Sequence, residues 1–335
     1  LAIILVCQVA GLAQLPAPGT RHQIAALATS QGNFFDSQSF DPCTVVNPSD
    51  STQVIMFFSG MGAPVASGTQ SIGRATFSTS DPTTLTVSNG GLPVAEQILA
   101  GWENGGDGIR VDSCFYNSDD SKIWLYYTAH QNQIGLMRSS DLGLTWTRYA
   151  SNPVMMASGD ETYTSQLAVL REGSSWHAIY SYRASGAVLP AYRYASSSDG
   201  LTWTKGGVDV YHDGTRYHEF HQLFKIGSTY FLAYESGGTD VDWDVRLATS
   251  SDPSTGWVRY SINPFLAKTG TPGAFDRYHT ATPHLIKING LWWLFYCGAT
   301  DLDQPYGSNH WQMGVAEVGA AGIPICTWAL GCIGI

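Results

Sequence analysis

Charge is scarce in this chain. Asp, Glu, Lys and Arg make up 13% of its 335 residues, and 17 basic residues face 27 acidic ones, for a formal charge of −10. Without a basic stripe or patch there is no electrostatic footprint for a nucleic-acid partner. Cysteine is thin as well. Six in a chain this long do not make a disulfide scaffold, and the Cys and His spacings fit no zinc pattern. No segment carries a helical apolar period of useful length, and no low-complexity stretch or linker divides the chain. One apolar run stands out, from Leu1 to Ala13. It is too short for a convincing membrane span, so stable membrane insertion is not expected. It has the apolar core and small-residue end of a secretory signal, without the Met and basic start. Export to the extracellular space is the expectation, with 1–29 as a signal-like segment or an assembly arm.

What the chain does have is Ser, Thr, Gly and aromatic residues in a repeat. Ser139-Ser140-Asp141-Leu142-Gly143-Leu144-Thr145-Trp146 returns as Ser197-Ser198-Asp199-Gly200-Leu201-Thr202-Trp203, as Thr249-Ser250-Ser251-Asp252 leading to Gly256-Trp257, and more weakly as Thr79-Ser80-Asp81-Pro82. The aspartates lie 60, 58 and 53 residues apart, a period that marks repeated supersecondary units. Between the copies run strand-like segments such as Val54-Ile55-Met56-Phe57-Phe58, Ile123-Trp124-Leu125-Tyr126-Tyr127 and Tyr230-Phe231-Leu232-Ala233-Tyr234. Each has a shorter apolar segment before it and another after it, and the serine–aspartate element then turns the chain into a fourth strand. The pattern predicts an all-β, five-bladed β-propeller over 30–319, four antiparallel strands per blade. Inner strands are expected near 43–47, 113–117, 164–170, 220–226 and 283–288. A Cys-bearing tail, 320–335, follows, in which Cys326 and Cys332 are spaced to close a small loop. The serine–aspartate elements read as hairpin turns, since Asp hydrogen-bonds its own backbone and Asp-Gly tolerates left-handed geometry. Cys43 and Cys114 share one register in blades one and two, as neighbours or as two small buried residues.

In such a propeller the ligand mouth is formed where the chain enters the inner strands. Every blade presents an acid there: Asp41 in blade one, Asp112 beside Arg110 in blade two, Asp160 and Glu161 in blade three, Glu219 in blade four, and Asp276 with Arg277 and His279 in blade five. Cleaving a glycosidic bond requires a protonated carboxyl at the leaving oxygen and an ionised one across the sugar. Crowding acids at one mouth raises the pKa of the least solvated member.

On Asp41-Pro42, Glu219 and the spacing of Asp160 between them, the chain resembles the five-bladed propeller glycoside hydrolases of families 43, 32 and 68. The resemblance covers about 30–319. It implies that Asp41 is base or nucleophile, that a blade-three acid (Asp160, or Glu161 in its place) orients substrate and tunes pKa, and that Glu219 is the general acid. It also implies a carbohydrate partner and no cofactor, with a structural calcium ion on the axis as an option. Two features depart from the pattern: Asp160 sits four residues ahead of the expected register, and blade two carries Asp112. Arg110, Asp112, Asp276, Arg277 and His279 are candidates for holding sugar hydroxyls, and Trp243 and Trp311 for stacking on sugar rings. The competing reading is a non-catalytic propeller that binds glycans or builds an extracellular or virion assembly.

Overall fold

The computed structural model describes residues 14–28, 32–62, 69–129, 133–212, 217–237, 243–300 and 311–320. The apolar stretch 1–13 and the Cys326–Cys332 tail lie outside these residues. Five antiparallel sheets follow one another along the chain. Their inner strands are Gln38–Val46, Ile109–Asn117, Glu161–Glu172, Tyr217–Ile226 and His279–Ile288. The second strands are Gln53–Met61, Lys122–Ala129, Ser175–Ala184, Thr229–Gly237 and Leu291–Ala299. Four sheets have four strands; in blade two the outermost position is shared by two short pieces, Thr147–Arg148 and Met155–Met156, both on Gln133–Ser139.

Blade five closes the ring. Its outermost strand is Arg21–Gln23, paired antiparallel with Trp311–Gly319. Residues 21–28, placed by the sequence in the N-terminal segment, therefore belong to the propeller: Arg21–Gln23 is the fourth strand of blade five among the described residues. Leu15 is fully buried against blades four and five, and its backbone exchanges hydrogen bonds with the Tyr260 hydroxyl.

The core lies between blades. Along Val54–Phe58, Val54, Met56 and Phe58 pack toward blade five, while Ile55 and Phe57 pack toward blade two. Likewise Ile123, Leu125 and Tyr127 face blade one, and Trp124 and Tyr126 face blade three. A strand buried on both faces must be apolar at every position. That is why these runs are continuous in sequence instead of alternating.

The serine–aspartate turns join third and fourth strands, at the end opposite the start of each inner strand. In the fullest copy the Asp141 carboxylate accepts from Ser139 Oγ and from the backbone of Leu144 and Thr145. The tryptophans reach back to the preceding blade: Trp146 meets Phe57 edge to face at 5.2 Å, and Trp203 meets Tyr126 at 6.3 Å. These elements hold neighbouring blades together.

Each inner strand begins three to five residues before its expected start, and the reason is a β-bulge. In all five blades one extra residue interrupts pairing with the second strand, between Phe40 and Cys43, Val111 and Ser113, Ser165 and Leu167, Glu219 and Gln222, and Ala281 and His284. The polar and Pro-containing stretches that read as entry loops are strand on the far side of that bulge.

Candidate active site

The five bulges form a ring around the propeller axis. Such bulges re-aim side chains. Here Asp41, Asp112, Gln166 and Thr282 all line an axial cavity of about 70 Å³, together with Gln222 and His284. It is far smaller than the several hundred Å³ of a ligand pocket. Asp41, Gln166 and Thr282 have φ of 50°, 48° and 47°, left-handed values that cost energy, most of all for β-branched Thr282. The Cys43–Cys114 disulfide joins blades one and two two residues beyond Asp41 and Asp112, with Cα atoms 5.9 Å apart.

Asp41 is 5% exposed. Its Oδ2 accepts from Ser59 Oγ at 2.9 Å, while its buried Oδ1 has no hydrogen-bond partner among the described residues. Burial is the largest influence on this carboxyl and pushes it up to about 8. Arg110 and the Ser59 hydrogen bond work against the rise, whereas the charges of Asp112 and Glu219 add to it. Asp112 accepts from Thr128 Oγ1 and is pushed up to about 7, again mainly by burial and against its hydrogen bonds and Arg110. Glu219 is half-buried on the blade-four inner strand, directly opposite Glu235 of the second strand. Glu235 is 3% exposed and accepts the Thr282 N–H at 2.6 Å. Burial first, then the charge of Glu219, hold Glu235 well above the usual carboxylate range. Asp41, Asp112, Glu219 and Glu235 thus form one electrostatic cluster with Arg110.

The remaining candidates lie elsewhere. Asp160 is 58% exposed and forms a two-pronged ion pair with Arg193, at 2.8 and 2.9 Å, which holds its carboxyl below the usual value. Glu161 is buried within blade three, bonded to Lys205, Tyr180 and Arg193. Burial would raise its carboxyl, but the Lys205 and Tyr180 hydrogen bonds outweigh that and bring it down. Neither residue lines the cavity; Gln166 holds the blade-three place in the ring. Asp276 is 1% exposed and accepts from Arg21, Tyr296 and Thr269, so it secures the closing strand. Arg277 stacks over Tyr278 at 4.6 Å. His279 Nδ1 accepts from the Trp243 N–H, and its ring lies 5.5 Å from that of Trp311. Trp243 and Trp311 are 5% and 8% exposed, packed with Phe40 in one apolar cluster. Little ring face is offered for stacking. Among the described residues no group of three or more His, Cys, Asp or Glu side chains converges as a metal site, and the calcium option gains no residues from the geometry.

Sequence reading missed Glu235, Gln166 and the hydroxyls of Ser59 and Thr128. Glu235 had one signal: it is among only seven glutamates and closes the aromatic run Tyr230–Tyr234.

No protein-family model and no curated protein sequence matches the chain. Solved structures do. The catalytic domain of a GH62 α-L-arabinofuranosidase from Coprinopsis cinerea superposes with a TM-score of 0.64 at 16% identity, over 90% of this chain and 98% of that one. An α-L-arabinofuranosidase from Podospora anserina, solved with cellotriose, gives 0.62 at 13% identity, over 93% and 99%. A thermostable family-43 glycoside hydrolase gives 0.64 at 12% identity, over 89% and 97%. The chain is a five-bladed β-propeller that shares its fold, at low sequence identity, with glycoside hydrolases of this kind.

Proposed function

We propose that the protein is a secreted glycoside hydrolase acting on an oligo- or polysaccharide, with Asp41 and Glu219 as its two working carboxyls. The observation that carries this reading is the state of Asp41. Asp41 lines the axial cavity, its buried Oδ1 has no hydrogen-bond partner among the described residues, and its carboxyl is electrostatically coupled to Glu219. Glycosidic cleavage uses one neutral and one ionised carboxyl on either side of the bond. Burial favours the neutral form of Asp41 at neutral pH, while Glu219 is less buried. The proton of the free protein is therefore assigned to Asp41 and the charge to Glu219, the reverse of the roles that the family resemblance implies. Asp112, half-buried in the ring, takes the orienting place expected of Asp160 or Glu161. Secretion is supported by the Cys43–Cys114 disulfide, since such bonds persist in oxidising compartments.

A hydrolysis screen on aryl glycosides and plant and fungal polysaccharides tests the proposal, with wild type, Asp41→Asn and Glu219→Gln side by side. Wild-type turnover that falls about a hundredfold or more in each variant is expected. Glycan binding without turnover in the wild type would favour the non-catalytic propeller instead.

A further inference from the structure

Three contacts from a second strand to the next inner strand brace the bulge ring. Ser59 Oγ accepts the Val111 N–H at 2.9 Å, and Thr128 Oγ1 accepts the Gln166 N–H at 3.1 Å. Between blades four and five the acceptor is a carboxyl: Glu235 takes the Thr282 N–H. A hydroxyl would suffice for that bond, and burying a carboxyl directly across the strand from Glu219 is costly. Residues opposite one another in an antiparallel pair have Cβ atoms about 5 Å apart, so the two side chains are neighbours, and neighbouring carboxylates do not both ionise readily. The link continues to Asp41, because Thr282 Oγ1 accepts the Asp41 N–H at 3.3 Å and donates to Cys297 Sγ at 3.1 Å.

We propose that Glu235 is a positioning residue: it shares one proton with Glu219, so that the pair bears a single negative charge beside Arg110, and through Thr282 it fixes the backbone that presents Asp41. This rests on Glu219 being one of the two working carboxyls. Around Glu235 stand Glu219 on the paired strand, Asp41 from blade one, Arg110 from blade two, Tyr192 from blade three and Cys297 from blade five. Asp244 and Arg246 flank its register on the third strand of its own blade. Arg110 is the cation that favours charge on the pair. Burial and the Glu219 charge oppose a second ionisation, so the pair titrates in two widely separated steps.

Infrared titration of the carboxyl C=O band on the full chain, from about pH 4 to about pH 9, reads the pair directly in wild type, Glu235→Gln and Glu219→Gln. The Gln at 235 retains an oxygen for the Thr282 N–H, and thermal melting checks its fold. If it does not fold, Glu219→Gln reads the same pair from the other side. In wild type one carboxyl of the pair should ionise early and the other stay protonated. In either variant the survivor should titrate as a single group, displaced by about one pH unit or more. With substrate, Glu235→Gln should lower kcat about tenfold or more, leave KM near its wild-type value, and move a limb of the pH profile. A carboxyl titration and pH profile unchanged by Glu235→Gln would overturn the proposal and leave Glu235 a buried acceptor for Thr282. Should the wild type hydrolyse nothing, the hydrolase reading fails, while the infrared titration still decides the proton sharing.

Discussion

Asp41 concentrates the tension in this molecule, because a carboxyl with one hydrogen-bonded oxygen has been placed where water scarcely reaches. Its ordinary value is 3.8 and the fold moves it to about 8. Between those values the folded chain holds a proton that the unfolded chain has released. The stability that Asp41 contributes is full below the lower value and is lost as pH rises through the upper one. Asp41→Asn keeps an oxygen for Ser59 and removes the titration. Its thermal midpoint should therefore match the parent near the low end of that window and exceed it by several degrees at the high end. A variant less stable than the parent throughout would mean that Asp41 is ionised in the fold. Asp41-Pro42 and Glu219 were legible in the sequence because their residue types and blade register are both local features. Glu235 was not, because its place opposite Glu219 depends on a hairpin register that includes the bulge. Nor could the sequence show that Asp160 is occupied, since its partner Arg193 lies two strands away.

At the scale of strands and turns, the repeat told more about architecture than about chemistry. The serine–aspartate turns were recognisable from their side-chain pattern, and they do form the hairpins between third and fourth strands. What they touch was not recognisable, because Trp146 and Trp203 pack on the blade before their own. Gly143 makes this interlock sensitive. It has φ of +83°, and a Cβ there would lie 2.3 Å from the Phe57 ring. Gly143→Ala should lower the urea unfolding free energy by about 1–3 kcal/mol, while the KM of the proposed hydrolysis should stay unchanged. An unchanged urea midpoint would show that Phe57 can yield. The bulges were hidden from sequence reading for a physical reason. One extra residue leaves the strand composition unchanged and alters only the pairing register.

For the whole molecule, ring closure and one disulfide matter most. The fifth unit visibly lacked its turn element, but a three-residue closing strand is too short to carry a pattern. It is tied by pairing with Trp311–Gly319 and by the Arg21 ion pair to buried Asp276 at 2.8 Å. Removing the guanidinium with Arg21→Ala should destabilise the fold by about 2–4 kcal/mol, since Asp276 loses its cation; a change within experimental error in denaturant melts would mean that Tyr296 and Thr269 suffice. The Cys43–Cys114 bond spans 71 residues. Reducing it should cost about 2–4 kcal/mol, read as a lower denaturant midpoint under reductant. Cys43→Ser with Cys114→Ser should reproduce the loss and become insensitive to reductant.

In the proposed reaction Asp41 and Glu219 divide the work of glycosidic cleavage, with the proton resting on Asp41. The most direct measurement compares turnover of wild type, Asp41→Asn and Glu219→Gln on two glycosides of the same sugar, one with a poor leaving group and one with an activated aryl leaving group. An activated leaving group departs without protonation, so it relieves loss of the proton donor and not loss of the ionised partner. Expected is a large defect in both variants on the poor leaving group, with Asp41→Asn largely restored on the activated one and Glu219→Gln still impaired. Restoration of Glu219→Gln instead would return the proton to Glu219, and wild-type turnover indifferent to both substitutions would contradict the assignment of either carboxyl.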